Sequence, residues 1–369
     1  MKTTFHLAKY TKPDFSWPEF ARSPNVKTAF VETQGVAPSY YHATSIYPEY
    51  FKMGGEWMLA EEMRMDCCVV VRPSRLEVME LRKLIVGDEV VLGRTENCEE
   101  GIYLHTNGFE VEESPELNFA FRTGRSRETA FSMDYDNLYA LLEYEREHGN
   151  TAWVMGPACA FDADARSSMR TLIQNGFVDA LLAGNALATH DLEAAYFKTA
   201  LGQNIYTQQL IKDGHYNHLD VLNLVRRAGS IAAFLKEQGI EDGIMQSLVE
   251  KNVPYVLTSS IRDDGPLPEV IANAYEGQDR MREILNKATT VICLATQLHT
   301  IASSNMLPTY RVVDGVVRPV FLYSVDISEF VVNKVRDRGN LRAISMVTNV
   351  QDFVVHVARG VTKADEPLL

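Results

Sequence analysis

The sequence predicts an α/β fold, a doubly wound and mostly parallel sheet with a smaller N-terminal mixed or β domain. From residue 134 onward, short apolar runs alternate with amphipathic stretches at helical spacing. Earlier residues contain short β-rich pieces, such as 67–71 and 89–92, with little helical periodicity. The 369 residues suffice for one large domain or two ordinary ones. We predict domains at 1–125 and 126–369, divided near the acidic stretch 110–116.

The apolar runs of the second half predict the strands of the parallel sheet. Apolar strands interleaved with amphipathic helices are what a sheet covered on both faces requires. Ligands of such sheets bind beyond the carboxyl ends of the strands, so the residues after each run are the candidate site. The predicted strands are 151–155, 177–183, 255–259, 291–295, 320–325 and 343–347, and the predicted helices include 162–175, 217–238 and 270–287.

The composition favours a small-molecule partner. A formal net charge of −13 opposes nonspecific attraction to nucleic acid and to anionic membranes, because both are negative themselves. The five cysteines form no CxxC pair, so the sequence encodes neither a disulfide framework nor a thiolate zinc site and predicts a reducing compartment. No window approaches the roughly 20 apolar residues of a membrane helix. The first residues lack the apolar segment of a signal peptide. We predict a cytoplasmic protein.

The turn after the first predicted strand could approach a phosphate. Gly156, Pro157 and Ala158 stand there, and glycine lets the backbone come close to a phosphate at a helix N-terminus. Gly-Pro is also common in turns that only connect secondary-structure elements. No GxGxxG follows any predicted strand, so the usual dinucleotide fingerprint is absent. A dinucleotide bound here would need another pattern.

Polar residues crowd the end of the second predicted strand, starting at Gly184. Asn185 could hold a carboxamide or amino group, and His190 is suited to proton transfer near neutral pH. Alternatively, Thr189 or Asp191 caps the next helix and His190 lies in its exposed first turn. Spacing alone leaves both interpretations open.

Two histidines, His215 and His218, precede the amphipathic stretch 217–238. They could form part of a metal site, but zinc needs three or four ligands and no third partner stands at a recognisable spacing. The spacing favours a catalytic or structural pair, and we predict no metal.

The third strand is followed by a turn rich in charge, with Ser259, Ser260, Arg262, Asp263 and Asp264. Arginine can hold a carboxylate or phosphate through two hydrogen bonds, and aspartate can anchor an ammonium or a ribose diol. The alternative is a surface turn with an internal Arg–Asp pair, which contributes little. Placement at a strand end favours the functional interpretation.

Two later strand ends supply three more candidates. Thr296 and His299 follow the run 291–295, where a histidine on an otherwise apolar face is by itself typical of a satisfied core residue. Asp326 follows the run 320–325. An aspartate so placed can accept both hydroxyls of an adenosine ribose, although it can also cap a helix.

Taken together, these segments resemble one family. The strings GNALATHDLEA, GHYNHL, RRAGSI, SSIRDDGPLPEVI, LATQLHTIASSNMLP and VDI followed by KVRDRG are similar, in the same order, to the archaeal-type ornithine cyclodeaminases. The same segments occur in the C-terminal half of cyanobacterial enzymes that join arginine dihydrolase to ornithine cyclodeaminase, and the group is also called the LOR/SDH conserved-region family. The resemblance covers residues 30 to 355 and includes GEWMLAEEMRMDCCVVV in the first half.

The resemblance implies a deoxyhypusine-synthase-like, Rossmann-like fold that binds NAD, which would explain the missing GxGxxG. It implies a homo-oligomeric (dimer or tetramer) lyase of amino-acid metabolism. Such an enzyme converts ornithine, or a close diamino acid, to proline or its analogue and ammonia by internal hydride transfer. The chain departs from the family pattern at 43–48, in a shorter N-terminal region, and at Gln297 and Thr300. The first-half departures bear on the substrate more than on the cofactor.

The resemblance and the strand-end positions together give the predicted site. The predicted dinucleotide contacts are Gly156, Pro157, Ala158, Gly184, Asn185, Ser259, Ser260, Arg262, Asp263, Thr296 and Asp326. The predicted residues of the reacting centre are Asp66, Asn185, His190, Asp264 and His299, with Asp66 reaching from the small domain to hold an ammonium. Two alternatives stay open: a net NAD-dependent dehydrogenase of an amino acid or opine-like conjugate, and a non-catalytic ligand-binding regulatory protein on the same fold.

Overall fold

The structure is a computed structural model that describes residues 4–110, 130–263, 265–336 and 341–362. Apart from Glu110, the predicted boundary stretch 110–116 lies outside the described residues, and so does Asp264. Among the helices in these ranges, none is both long and apolar enough to cross a membrane.

The N-terminal region contains two small antiparallel sheets. Its elements are α1 (Pro18–Arg22), β1 (Lys27–Phe30), β2 (Glu49–Met53), β3 (Glu56–Leu59), β4 (Cys68–Val71), β5 (Leu76–Met79), β6 (Glu89–Leu92) and β7 (Ile102–Leu104). Four strands pair in the order β1-β6-β4-β5, and three in the order β3-β2-β7. The predicted strands 67–71 and 89–92 are confirmed as β4 and β6.

The second half is built from alternating strands and helices. In chain order its elements are α2 (Ser132–His148), β8 (Thr151–Met155), α3 (Ala163–Gln174), β9 (Ala180–Gly184), α4 (Asn185–Phe197), β10 (Thr199–Ala200), β11 (Gln203–Asn204), α5 (Asn217–Ala228), α6 (Ile231–Gln238), α7 (Ile244–Glu250), β12 (Tyr255–Thr258), α8 (Ala274–Leu285), β13 (Thr290–Leu294), α9 (Gln297–Met306), β14 (Tyr310–Val313), β15 (Val316–Pro319), β16 (Phe321–Asp326), α10 (Glu329–Arg336), β17 (Arg342–Val347) and α11 (Val350–Thr362).

Six of these strands form a parallel sheet in the order β12-β9-β8-β13-β16-β17, which confirms the predicted doubly wound fold. The chain starts in the middle of this sheet at β8 and moves outward to β12, then returns to β13 and moves outward the other way. The strand order therefore reverses between β8 and β13. Open α/β sheets bind ligands in the crevice at this point, beyond the carboxyl ends of the strands.

Helices cover both faces of the sheet, so its central strands are apolar at almost every position. In β8, Trp153 and Met155 pack with residues of α2, α3 and α11, and the indole N–H of Trp153 donates to the carbonyl of Phe177 at 3.0 Å. Ala152 and Val154 point to the other face and pack with residues of α8, α9 and α10. Burial on both faces is why these strands read as continuous apolar runs and not as alternating patterns.

Some predicted bounds shift by a few residues: the strand predicted at 177–183 is Ala180–Gly184, and the helix predicted at 270–287 is Ala274–Leu285. Two larger features also differ from the prediction. The stretch 217–238 forms two helices, because Gly229 ends α5 with φ +86° and Ser230 then caps α6 by accepting from the N–H of Ala233. The hairpin β14–β15 was not predicted. Its first residue, Tyr310, is fully buried in the core of the N-terminal region and donates its hydroxyl to the carbonyl of Ala60. The second half of the chain thus supplies part of the N-terminal core.

Candidate active site

The turns after β8 and β13 meet backbone to backbone where the strand order reverses. The N–H of Gly156 donates to the carbonyl of Leu294 at 2.8 Å. A Cβ on Gly156 would lie 2.1 Å from the carbonyl oxygen of Ala295, so no side chain fits there. Ala295 has φ +47°, which is uncommon for a residue with a side chain and often marks a functional site.

The predicted phosphate turn does not lead directly into a free helix end. Pro157 to Ala160 form one turn of 3₁₀ helix, and α3 starts only after Asp162. The Asp162 carboxylate accepts from the N–H of Ala165 at 2.8 Å and so caps α3 itself. Gly156, Pro157 and Ala158 lie at the crevice, but the N-terminus of α3 is already occupied by a side chain.

Helix α4 starts immediately after β9, and this decides between the two interpretations of its polar residues. Because Asn185 is the first helical residue, Thr189 and Asp191 lie inside the helix and are buried, so neither caps it. The interpretation with a cap and an exposed His190 is therefore wrong. The Asn185 side-chain oxygen accepts from the N–H of Leu267 at 3.0 Å and from the hydroxyl of Thr189 at 3.3 Å.

Asp191 has a structural role. Its carboxylate accepts from the N–H groups of Ile244 and Met245, at 3.0 and 2.8 Å, and so caps α7. It also pairs with Arg166, whose Nε lies 2.9 Å from Oδ1, with both side chains buried. This buried pair ties α3, α4 and α7 together behind the site.

His190 is held from behind by a buried carboxylate. Its Nδ1 lies 2.9 Å from Oε2 of Glu193, which is fully buried, whereas the His190 side chain is 11% exposed. The His190 ring stands edge-on to Phe161 and 5.9 Å from the ring of His218, measured between centroids. Two histidines from different helices therefore lie side by side.

These histidines line a cavity of about 490 Å³ between α4, α5 and the loop after β12. Its cations are Arg226 and Arg262, and Asp263 carries negative charge. Nδ1 of His218 is buried there without a hydrogen-bond partner among the described residues. Burial lowers the pKa of His218, which favours a neutral ring. The full lining is Asn185, Ala186, Thr189, His190, His218, Leu219, Leu222, Asn223, Arg226, Arg262, Asp263 and Gly265.

Hydrogen bonds within the loop after β12 and to α5 hold this loop in place. The N–H of Ser260 donates to Oδ2 of Asp263 at 2.8 Å, and the hydroxyl of Ser259 donates to the carbonyl of Ala272 at 3.1 Å. Nε of Arg226 donates to the carbonyl of Pro266 at 3.1 Å. Within the described part of the loop, Arg262 and Asp263 form no ion pair with each other, and both line the cavity.

His299 lies close to residues at the ends of three strands. Its Nε2 lies 2.7 Å from the hydroxyl oxygen of Thr258, after which β12 ends, and its Nδ1 lies 3.2 Å from that of Thr296. A Cβ on Gly184, at the end of β9, would lie 3.3 Å from Cε1 of His299. Burial lowers the pKa of His299, and Asp263 opposes this shift. His299 is thus a partly buried group of the crevice and not an isolated core histidine.

Of the last two sequence candidates, Asp326 ends the strand next to β13 at the same edge of the sheet, whereas Asp66 lies in the N-terminal region. Oδ1 of Asp326, at the end of β16, accepts from the N–H of Ser328 at 2.8 Å. Asp66 is exposed on a turn with φ +62° just before β4. Within the described residues, no hydrogen bond joins Asp66 to the strand-end cluster.

The crevice offers the donors and acceptors that a dinucleotide requires. Helices α4 and α9 start at this edge after Gly184 and Thr296, and neither has a side-chain cap. In contrast, α3, α6 and α8 are all capped by their own side chains. Uncapped helix ends leave N–H groups that suit a pyrophosphate. The Asp326 carboxylate at the neighbouring strand end suits a ribose diol. The residues present therefore fit a dinucleotide.

Sequence reasoning missed three residues of this site, namely Glu193, Thr258 and Arg226. The only sequence signal for Glu193 is its spacing of three residues from His190 on one helix, which places both side chains on the same face. Nothing in the sequence indicated that this face is buried. Within the described ranges, no group of three histidine, cysteine or acidic side chains is placed to hold a metal.

Comparison with known proteins gives consistent results. Residues 139–357 match the Rossmann-fold C-terminal region of arginine dihydrolase ArgZ-like proteins. The ornithine cyclodeaminase of Methanopyrus kandleri is 36% identical over 333 residues, which are 88% of this chain and 76% of that protein. A LOR/SDH protein from Methanococcus maripaludis superposes with a TM-score of 0.84 at 31% identity, covering 93% of this chain and 100% of that one. The ternary complex of AgrE with ornithine and NAD+ gives 0.57 at 28%, covering 95% and 47%.

Proposed function

The chain belongs to the ornithine cyclodeaminase family, and on that basis we propose that it converts ornithine to proline and ammonia with bound NAD. The observation that carries the proposal is the cavity lined by His190, His218, Arg226, Arg262 and Asp263, which opens at the carboxyl edge of the sheet. AgrE, a structural relative, has been crystallised with both ornithine and NAD+. A small amino acid with two amino groups suits a cavity that contains both cations and an acid.

In this proposal, residues at the ends of β8, β9, β13 and β16 would hold the cofactor. The backbone N–H groups at the start of α4 and α9 would hold the pyrophosphate, and Asp326 would hold a ribose. When bound, NAD supplies the acceptor for a hydride from the substrate α-carbon and later returns it, so the reaction ends without net oxidation. Because Gly156 and Gly184 have no side chains, Ala295 can approach Gly156 closely and His299 can approach Gly184 closely at this edge of the sheet.

In this proposal the substrate lies in the cavity between α4, α5 and the loop after β12. Arg226 and Arg262 suit its carboxylate, and Asp263 suits an ammonium. Ring closure needs a neutral amine, so a group in the cavity must take a proton from the substrate. Neutral imidazoles do this near pH 7, and His190 and His218 both line the cavity. Asp66, Asp264 and His299 stay predictions for the reacting centre.

The test is to incubate the purified protein with ornithine while ammonia, proline and NADH absorbance are followed. Cyclodeamination releases ammonia and proline in equal amounts and accumulates no NADH. Accumulating NADH would favour the net dehydrogenase. Thermal stabilisation by ornithine without any product would favour the regulatory protein. Mass spectrometry under non-denaturing conditions would detect retained NAD and would also test the predicted dimer or tetramer.

A further inference from the structure

We propose that Glu193 is a positioning residue that fixes His190 as the proton acceptor of the cavity. The proposal rests on the proposed function for the identity of the reaction, but not for the relationship between the two side chains. Glu193 lies outside the cavity lining, is fully buried, and makes a direct hydrogen bond to His190 of that lining. Its charge also acts on His218, where it opposes the lowering of the pKa by burial.

The hydrogen bonds around Glu193 determine which nitrogen of His190 carries the proton. Oε1 accepts from the hydroxyl of Thr199 at 2.8 Å, and that hydroxyl accepts from the side-chain amide of Asn217, also at 2.8 Å. Oε2 accepts from the N–H of Leu201 at 3.3 Å and faces Nδ1 of His190 at 2.9 Å. With every other neighbour donating, the carboxylate is an acceptor towards Nδ1 as well. In its neutral form His190 therefore carries its proton on Nδ1, and Nε2 is the nitrogen that can accept a proton.

The same carboxylate stabilises the product of proton transfer. The proposed hydride transfer leaves an iminium at the α-carbon, and the α-ammonium releases one proton to solvent in that step. A proton then moves from the side-chain ammonium of the substrate to Nε2 of His190. The electron pair left on the amine forms the ring bond at the α-carbon, and the C=N π pair moves to the α-nitrogen. The resulting imidazolium is then paired with the buried carboxylate of Glu193.

The imidazolium returns the proton to the α-amino nitrogen, while the ring nitrogen loses one of its two protons to solvent. The lone pair of the ring nitrogen then forms the ring C=N bond as the bond to the α-amino nitrogen breaks, and ammonia leaves with that bonding pair. His190 is thus both the base and the acid of the exchange between the two amines.

A purely structural role would not need the charge. Thr199 and Leu201 donate to Glu193, and a glutamine oxygen could accept from one of them equally well. The bond to His190 weakens most when the carboxylate becomes a neutral amide, because that partner alone gains a charge during the reaction. Glu193→Gln is therefore the informative substitution.

The chain provides a matched control in Glu145. This residue is also fully buried in a carboxylate network, with Thr289, Thr290 and Arg318, at the opposite end of the sheet. Glu145→Gln should lower stability while the kcat of the folded enzyme stays within about 2-fold of wild type. This variant measures the effect of losing a buried carboxylate that has no hydrogen bond to a residue of the cavity.

The experiment is a double-mutant cycle of Glu193→Gln and His190→Ala, with turnover of ornithine as the first measurement. We expect Glu193→Gln to lower kcat about 100-fold, with the KM for ornithine and the affinity for NAD changed little. In the double variant, kcat should lie close to that of His190→Ala alone, because the hydrogen bond through which Glu193 acts is the one to His190. The proposal would be overturned if the fold-losses in kcat of the two single variants multiplied in the double variant. An unchanged kcat in Glu193→Gln would also overturn it.

A second readout does not depend on turnover or on any variant. Nitrogen NMR of the ¹⁵N-histidine-labelled wild-type protein reports the tautomer of His190, and we expect the proton on Nδ1. A proton on Nε2 would overturn the proposal even if the enzyme is active. If the wild type forms no proline but His190 is protonated at Nδ1, the proposed function fails and the positioning role stands.

Discussion

Gly156 and Ala295 touch through their backbones where the strand order of the sheet reverses, and a Cβ on Gly156 would overlap the carbonyl of Ala295 at 2.1 Å. The two turns follow strands whose paired residues are 139 positions apart in sequence, Thr151 with Thr290, and they can pack this closely because Gly156 has no side chain. At this point of the proposed cofactor crevice, there is no space between the two turns for an added side chain.

Gly156→Ala should consequently lower both stability and cofactor affinity. The overlap is with backbone, so it can be relieved only by moving one of the turns, at a cost of about 1–3 kcal/mol. Chemical denaturation and NAD titration measure the two effects. Gly54→Ala is the control, since Gly54 has φ +59° in an exposed hairpin turn with no atom near its Cβ position. It should cost some stability without affecting NAD, and equal effects of both variants on NAD would refute the explanation.

Asp191→Ala should destabilise the protein without a specific effect on chemistry. The substitution leaves the buried Arg166 without its main partner and removes the cap of α7, which together should cost about 3–5 kcal/mol. Denaturant unfolding measures the loss, and the kcat of the folded fraction should stay near wild type. A large fall in kcat with unchanged stability would instead place Asp191 in the reaction.

Stability should fall as the pH is lowered through the range of histidine titration. Burial lowers the pKa of His105, His218 and His299 in the folded protein. As the pH falls below the unfolded value of about 6.5, the unfolded chain binds protons first, so the free energy of unfolding decreases until the lowered folded pKa is reached. Denaturant unfolding between pH 7.5 and 5.5 measures the slope. His299→Asn should make it shallower, and a free energy that rises on acidification would contradict the assignment.

The cysteines should be unreactive in the folded protein. Burial raises the pKa of Cys159 and of Cys293 to about 12, and the pKa of Cys67 to about 11, so little thiolate exists at neutral pH. A thiol reagent at pH 8 should label all five cysteines only after denaturation. Rapid labelling of the native protein would show that one of these sites opens.

The sheet could be predicted from the sequence because its strands are buried on both faces. The run 151–155 is fully buried in β8, and 343–347 falls within β17. The hairpin β14–β15 was missed although Asp314-Gly315 between valines is a strong turn signal. It interrupts the alternation of strand and helix, so the pattern that predicts the parallel sheet does not indicate it.

The candidate site was predictable as a set of positions but not as a set of roles. Strand-end placement identified Asn185, His190 and His299, because parallel strands bring their carboxyl ends to one edge. It could not show that α4 starts at once after β9, which buries Asp191 as a structural ion and places Glu193 behind His190. Those roles depend on which side of α4 faces α5 and α7, and that is a property of packing between helices.

The insertion of Tyr310 into the N-terminal core has a consequence for protein engineering. A chimaera that exchanges only the first hundred or so residues with a relative would separate this tyrosine from the pocket that receives its ring and from the Ala60 carbonyl. A viable exchange has to transfer two discontinuous pieces of chain, the N-terminal region and the hairpin 310–319, as one unit.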